Sequence, residues 1–162
     1  MKQMFTPWRM KFITSKKTKS SHSRHCIFCK NLKSREDAKK LVLYRGKTCF
    51  IMLNLYPYSN GHMMVVPNRH VPDLSGLSDS EMLELIKLVR RGVEILKKAF
   101  KPEGFNIGVN LGKVAGAGIT SHVHVHIVPR WLGDTNFMPA FAEVRLIPQA
   151  LSQTYRILKK NV

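Results

Sequence analysis

A chain of 162 residues with 44% hydrophobic residues can bury a core without disulfide staples, which excludes a globally disordered or collagen-like chain. Its 27 basic against 10 acidic residues, a formal charge of +17, exclude an anionic surface. They point to anionic partners (nucleotides, nucleic acid or an anionic membrane surface), although scattered lysines equally serve solubility.

Residues 1–24 read as a basic arm and linker. Phe5, Trp8, Met10, Phe12 and Ile13 form an apolar cluster suited to docking, and 14–24 are Lys, Ser and Thr without apolar periodicity. There is no apolar signal-peptide core and no run of transmembrane length. With three cysteines, Cys26, Cys29 and Cys49, too few and odd in number for a disulfide framework, the expected setting is the reducing cytoplasm with no membrane partner. Residues 25–162 read as a single domain.

After His25-Cys26-Ile27-Phe28-Cys29-Lys30 comes a charged stretch to Lys40. Leu41–Tyr44 and Thr48–Leu53 predict two strands around Arg45-Gly46-Lys47, and His62–Pro67 a third after the loop Leu55–Gly61, together an antiparallel meander. Asp79 is a candidate N-cap. Met82, Leu85, Ile86, Val89, Val93, Leu96 and Phe100 recur at helical spacing and predict the longest helix, 79–100, with Gly104 beyond its end. Phe105–Asn110 predicts a fourth strand, Leu111–Thr120 a loop of small residues, and 149–160 a last helix with Leu151, Tyr155 and Leu158 on one face. An antiparallel sheet with a long helix and a C-terminal helix packed beside it is an α+β fold.

Between that loop and the last helix stands Ser121-His122-Val123-His124-Val125-His126-Ile127-Val128-Pro129-Arg130-Trp131. Alternation predicts a strand with the three imidazoles on one side and Val123, Val125 and Ile127 on the other. At about 3.3 Å of rise per residue the outer imidazoles stand roughly 13 Å apart. One phosphate reaches two of them, so at least two roles are implied.

This stretch resembles the signature of the histidine triad (HIT) family of nucleotidyl hydrolases and transferases, three histidines alternating with apolar residues. Pro129–Pro139, with Pro7-Trp8-Arg9-Met10 and Leu53–Tyr58, is similar to the family branch of diadenosine tetraphosphate phosphorylases, or ATP adenylyltransferase-like proteins. The resemblance covers nearly the whole chain apart from 14–24. It implies a HIT-like fold and a homodimer formed through the strand before the triad and the long helix.

It also implies catalytic residues. His124, the middle histidine, would attack phosphorus and form a nucleotidyl-histidine intermediate, while His126 would support the leaving oxygen. Asn110 would hold phosphate, with backbone N–H groups of the loop at Gly116 and Gly118. Many relatives place a hydroxyl or amide side chain near Gly118; here Thr120 and Ser121 are the nearest hydroxyls. Asn54 matches a ribose-binding position, or serves only as a turn former. Phe28, Phe50 and Leu55 would line a base pocket or belong to the core.

Cys26-x-x-Cys29 has the spacing of half a zinc site, of a redox pair, or of two inert thiols. His70 and His122 would complete a structural zinc tetrahedron, as the first histidine of the motif does in a zinc-bearing branch of the family. His25 is the rival fourth ligand. Arg130, Lys113 and Arg9 could add positive charge for a phosphate acceptor, and Arg130-Trp131 serves either a second nucleotide or dimer packing.

The expected function is cleavage of dinucleoside polyphosphates, with phosphate or water as acceptor. The alternatives are a nucleoside phosphoramidate or adenylyl hydrolase of the same family and a protein that binds nucleic acid or processes its ends. Lys16-Lys17-Thr18-Lys19 and Arg24 motivate the last, but no complete finger-type spacing supports it.

Overall fold

Two short helices, α1 (Ile27–Lys33) and α2 (Asp37–Lys40), precede a meander of β1 (Val42–Arg45), β2 (Cys49–Leu53) and β3 (Met63–Pro67). Then come the long helix α3 (Asp79–Phe100), β4 (Gly104–Val109), β5 (Val125–Arg130) and α4 (Leu151–Lys159). This computed structural model describes residues 26–134 and 147–162. The basic arm and linker, His25, and the Thr135–Pro139 part of the C-terminal motif lie outside the described residues.

The five strands form one antiparallel sheet in the order β1-β2-β3-β5-β4, so β5 inserts between β3 and β4. The fold is α+β, as the sequence implies. Strand alternation sends Cys49, Ile51, Leu53, Met63, Val65, Val125 and Ile127 to one face, where α3 and α4 cover them with Leu85, Leu88, Val89, Ile95, Leu96, Tyr155 and Leu158. Phe50, Met52, Met64 and Val66 go to the other face and pack with Val42, Phe28 and the two cysteines of α1's leading edge.

Helix α3 spans the predicted 79–100, but its N-cap is the residue before Asp79. Ser78 caps it, accepting from the Glu81 N–H at 3.3 Å while Glu81 accepts from the Ser78 N–H at 2.8 Å. Either residue type can cap; the Glu81 carboxylate three positions on selects Ser78 by closing a capping box. At the other end Lys101 takes the left-handed conformation (φ 47°), so the helix stops before Pro102 and Gly104 already belongs to β4. Ile86, counted in the apolar stripe, is exposed; the stripe is wider than the sheet it covers. Gly92 lets α3 approach β5 closely, because a Cβ there would stand 2.7 Å from Ile127 Cδ1.

β5 begins at Val125, so only His126 of the three histidines lies within the ladder, opposite Met64. Val123 still bonds backbone to backbone with Val71 at 2.7 Å, which holds the extended run His122–His124 beside the sheet.

Candidate functional site

His122, His124 and His126 divide between two adjoining centres on the sheet face opposite α3. His122 is fully buried, and its Nε2 lies 2.8 Å from the Pro67 carbonyl. A carbonyl only accepts, so the proton is on Nε2 and Nδ1 presents a lone pair. That Nδ1 is 3.4 Å from Cys26 Sγ, 3.6 Å from Cys29 Sγ and 3.2 Å from His70 Nδ1, and Cys29 Sγ is 3.4 Å from His70 Nδ1.

All four ligand atoms lie within 4.8 Å of one another. A tetrahedral zinc with bonds of about 2.3 Å to sulfur and about 2.0 Å to nitrogen separates sulfur from nitrogen by roughly 3.5 Å and two nitrogens by roughly 3.3 Å. The donor set and its spacing therefore fit one four-coordinate metal ion. Burial, then the neighbouring Cys26, push the Cys29 thiol up to about 11, so taking up an ion displaces its proton. Cys49 lies apart in the core; its burial likewise raises its thiol to about 11 and leaves it inert.

His124 is held the opposite way round. Its Nδ1 is 2.9 Å from the His122 carbonyl, so Nδ1 carries the proton and Nε2 the lone pair. Burial lowers its basicity below that of a free imidazole, which keeps it neutral. The ring centroids of His124 and His126 are 4.7 Å apart, closer than the roughly 6.6 Å of two residues of strand, because the rings lean together above the backbone.

His126 is oriented by a residue that the sequence pattern does not expose. The Tyr58 backbone N–H donates to His62 Nδ1 at 3.1 Å, so His62 bears its proton on Nε2. That Nε2 donates to His126 Nδ1 at 2.9 Å, which leaves the His126 proton on Nε2. Burial, then His124 beside it, push the His126 imidazole down to about 4. His62 stands alone at the head of an apolar strand, and a lone histidine carries no periodic signal; only the β3–β5 register brings it to the triad.

A cavity of about 420 Å³ opens over these rings. His124, His126, Asn54, Gly116 and Gly118 line it, with Ile27, Phe28, Met52, Met64, Leu55, Tyr56, Tyr58 and Ile119 as apolar and aromatic walls. Of the three base-pocket candidates Phe28 and Leu55 are in the wall, whereas Phe50 is wholly buried in the cluster beneath. Asn54 also behaves as a turn former: its Oδ1 accepts from the Tyr56 N–H at 3.0 Å.

Gly116 has φ +87°, and the Asn110 amide nitrogen is 4.0 Å from where a Cβ on Gly116 would stand, so Asn110 abuts the loop at this glycine. Thr120 and Ser121 fall outside the cavity lining, Thr120 being exposed. Arg130 forms an ion pair with Asp134 at 2.6 and 2.7 Å and donates to the Asn106 amide oxygen at 2.7 Å, so its charge is paired at the strand end. Lys113 is exposed in the loop and Arg9 is outside the described residues. Among the described residues no helix is long and apolar enough to cross a membrane.

Known proteins resemble this chain in sequence and in fold. Residues 35–131 match the family model described as HIT domain. The AP-4-A phosphorylase of Mycobacterium tuberculosis is 38% identical over 161 residues, 98% of this chain and 83% of that protein. The bis(5'-nucleosyl)-tetraphosphatase [asymmetrical] of Schizosaccharomyces pombe is 41% identical over 57% of this chain and 50% of its own length. In fold, the chain is similar to the crystal structure of a Zn-bound histidine triad family protein from Mycobacterium smegmatis, with TM-score 0.67, 24% identity, and coverage of 86% of this chain and 94% of that one. A family match over most of the chain and a relative alike along nearly all of it place this protein in the HIT family, as an enzyme that acts on nucleotides.

Proposed function

We propose that the protein cleaves dinucleoside polyphosphates through a nucleotidyl group carried on His124. The observation that carries this reading is the hydrogen bond from His124 Nδ1 to the His122 carbonyl, which leaves a neutral Nε2 lone pair in a nucleotide-sized cavity. His124 Nε2 attacks the α-phosphorus. As the P–N bond forms, the bond from phosphorus to the leaving phosphate oxygen breaks, and the His126 Nε2–H donates a hydrogen bond to that oxygen. Asn110 and the backbone at Gly116 and Gly118 hold the phosphate oxygens, Asn54 meets the ribose, and Phe28 and Leu55 contact the base. Thr120 and Ser121, at the end of that loop, are the hydroxyls proposed for the phosphate.

An acceptor then attacks the same phosphorus and the P–N bond breaks, returning His124 with its lone pair. Inorganic phosphate as acceptor gives ADP and ATP from diadenosine tetraphosphate. The likeness to an AP-4-A phosphorylase over nearly the whole chain supports phosphate. The test is product analysis with and without phosphate for the wild type and His124→Ala. ADP plus ATP only with phosphate, absent in the variant, is the expected result. AMP plus ATP without phosphate makes the enzyme a hydrolase, and activity surviving in His124→Ala overturns the mechanism. Turnover confined to a nucleoside phosphoramidate selects the other family activity.

Zinc is the metal proposed for Cys26, Cys29, His70 and His122, and when bound there it supplies a closed structural site without an open coordination position. Elemental analysis should find one zinc per wild-type chain and a loss in Cys29→Ala. A homodimer is proposed through β4 and α3. β4 is the last strand of the sheet and exposes Ile107, while α3 exposes Leu83 and Ile86, surfaces that pairing would cover. Sedimentation at micromolar concentration should give twice the chain mass; monomer mass would reject it. No membrane or nucleic-acid partner is proposed, and the proposed location is the cytoplasm.

A further inference from the structure

The two centres described above share parts, and the sharing is physical. His122 presents its ring Nδ1 to the metal cluster, and its backbone carbonyl, 2.9 Å from His124 Nδ1, sets where the neighbouring histidine keeps its proton. The Cys26–Cys29 segment does something similar on the opposite wall. The two residues between the thiols, Ile27 and Phe28, both line the cavity. The Phe28 ring lies 4.9 Å from the His124 ring and 5.4 Å from the His122 ring, centroid to centroid.

α1, which carries this wall, is tied to the rest of the described residues by side chains alone. Among the described residues no backbone hydrogen bond joins it to the sheet. At its C-terminal end the Arg45 guanidinium holds it, donating to the carbonyls of Asn31, Leu32 and Ser34 at 2.7–3.1 Å. At its N-terminal end, beyond the packing of Phe28, the anchor is the pair of thiols facing His70 and His122. The segment lies upstream of the residues that match the HIT domain model, 35–131.

We infer that the metal cluster assembles the nucleotide site: ligation by Cys26, Cys29 and His122 clamps Ile27 and Phe28 as the wall against the nucleotide and steadies the carbonyl that orients His124. The inference rests on the nucleotide-cleaving reading above and deepens it, making Phe28 and His122 positioning residues for the reaction. A purely architectural ion would lower thermal stability and leave the affinity of the folded molecules for nucleotide unchanged. An assembling ion changes affinity and the state of His124 while the sheet and α3 persist.

The experiment compares full-length protein stripped with a chelator and the same protein reloaded with zinc. AMP affinity is measured by calorimetry, the His124 tautomer by ¹⁵N imidazole shifts, and helix content by circular dichroism. The stripped form should bind AMP about tenfold or more weakly, the loss expected when a stacking wall is removed, and its His124 should no longer hold one tautomer; zinc should restore both. Equal AMP affinity and an unchanged tautomer in the two forms overturn the inference. AMP binding by neither form overturns instead the nucleotide reading beneath it. Should the stripped protein unfold, Cys26→Ser decides, since it frees the N-terminal end of α1 and leaves Cys29, His70 and His122 to hold the ion. With one zinc retained and helix content unchanged, a loss of about tenfold in AMP affinity supports the clamped wall, and wild-type affinity refutes it.

Discussion

His62 Nε2 lies 2.9 Å from His126 Nδ1, and the direction of that hydrogen bond is decided at the far side of the His62 ring. There a backbone N–H, that of Tyr58, can only donate, so the chain Tyr58 to His62 to His126 runs one way and delivers a proton-bearing Nε2 on His126. Nothing in the triad itself would distinguish that tautomer from its opposite.

Replacing His62 therefore tests the orientation without touching His124, the proposed nucleophile. In His62→Ala, kcat on diadenosine tetraphosphate should fall roughly tenfold to a hundredfold with KM little changed, the range for a misplaced proton donor. His62→Gln, whose amide can still donate, should recover part of the loss. A kcat within twofold of wild type in His62→Ala would remove His62 from the machinery.

The pH profile has a defined sign. Burial lowers the basicity of both His124 and His126, the latter to about 4, so each folded imidazole stays neutral at pH values where a free one is already protonated. Protonation costs His124 its lone pair. The acid limb of kcat/KM should thus lie below the ordinary imidazole value of about 6.5. The same shifts make the native state lose stability as pH falls from about 6.5 towards 4, because the unfolded chain binds protons first. An acid limb at or above pH 7 would contradict this environment.

Glu81 offers a second pH signature, away from the cavity. The Arg69 guanidinium, at 2.7 and 2.9 Å, and then the Ser78 N–H hold its carboxyl down from 4.5 to about 2. The unfolded carboxylate takes up its proton first, so the stabilisation is full above about pH 4.5 and disappears as pH falls towards 2. Glu81→Gln should flatten the unfolding free energy in that window. Glu81→Ala, which also opens the capping box, should cost about 1 kcal/mol at neutral pH, lowering Tm by about 2–4 °C. Superimposable acid-unfolding curves for wild type and Glu81→Gln would refute the pairing.

Gly92 tests the contact between α3 and the triad strand. Its missing Cβ would stand 2.7 Å from Ile127 Cδ1, so Gly92→Ala should destabilise by about 1–3 kcal/mol despite alanine's better helix propensity. Ile127→Val removes the clashing methyl and should return part of that loss, measured by denaturant unfolding of the double variant. Purely additive losses would mean that the two residues do not meet.

Much of the fold was legible because its signals are local. The 22 residues of α3 announce themselves by apolar spacing, and the meander by short apolar runs separated by Gly and Asn. Ser78 against Asp79 was not legible, since the choice between two capping side chains depends on where Glu81 turns. Nor was the division of Phe28 from Phe50: both are aromatic and buried, and only their positions relative to the sheet face put one in the cavity wall and the other beneath it.

By itself the sequence determined the alternation that sets the histidines apart from the core valines, the spacing of the two thiols, and the small-residue loop before β5. These follow from bond geometry over a few residues. The tertiary structure alone decided the tautomers of His122, His124, His62 and His126, and the meeting of Cys26 and Cys29 with His70 and His122. A tautomer is fixed by which distant carbonyl or N–H faces each ring nitrogen, and a ligand set by where three separate segments cross, so neither can be read from the chain until it has folded.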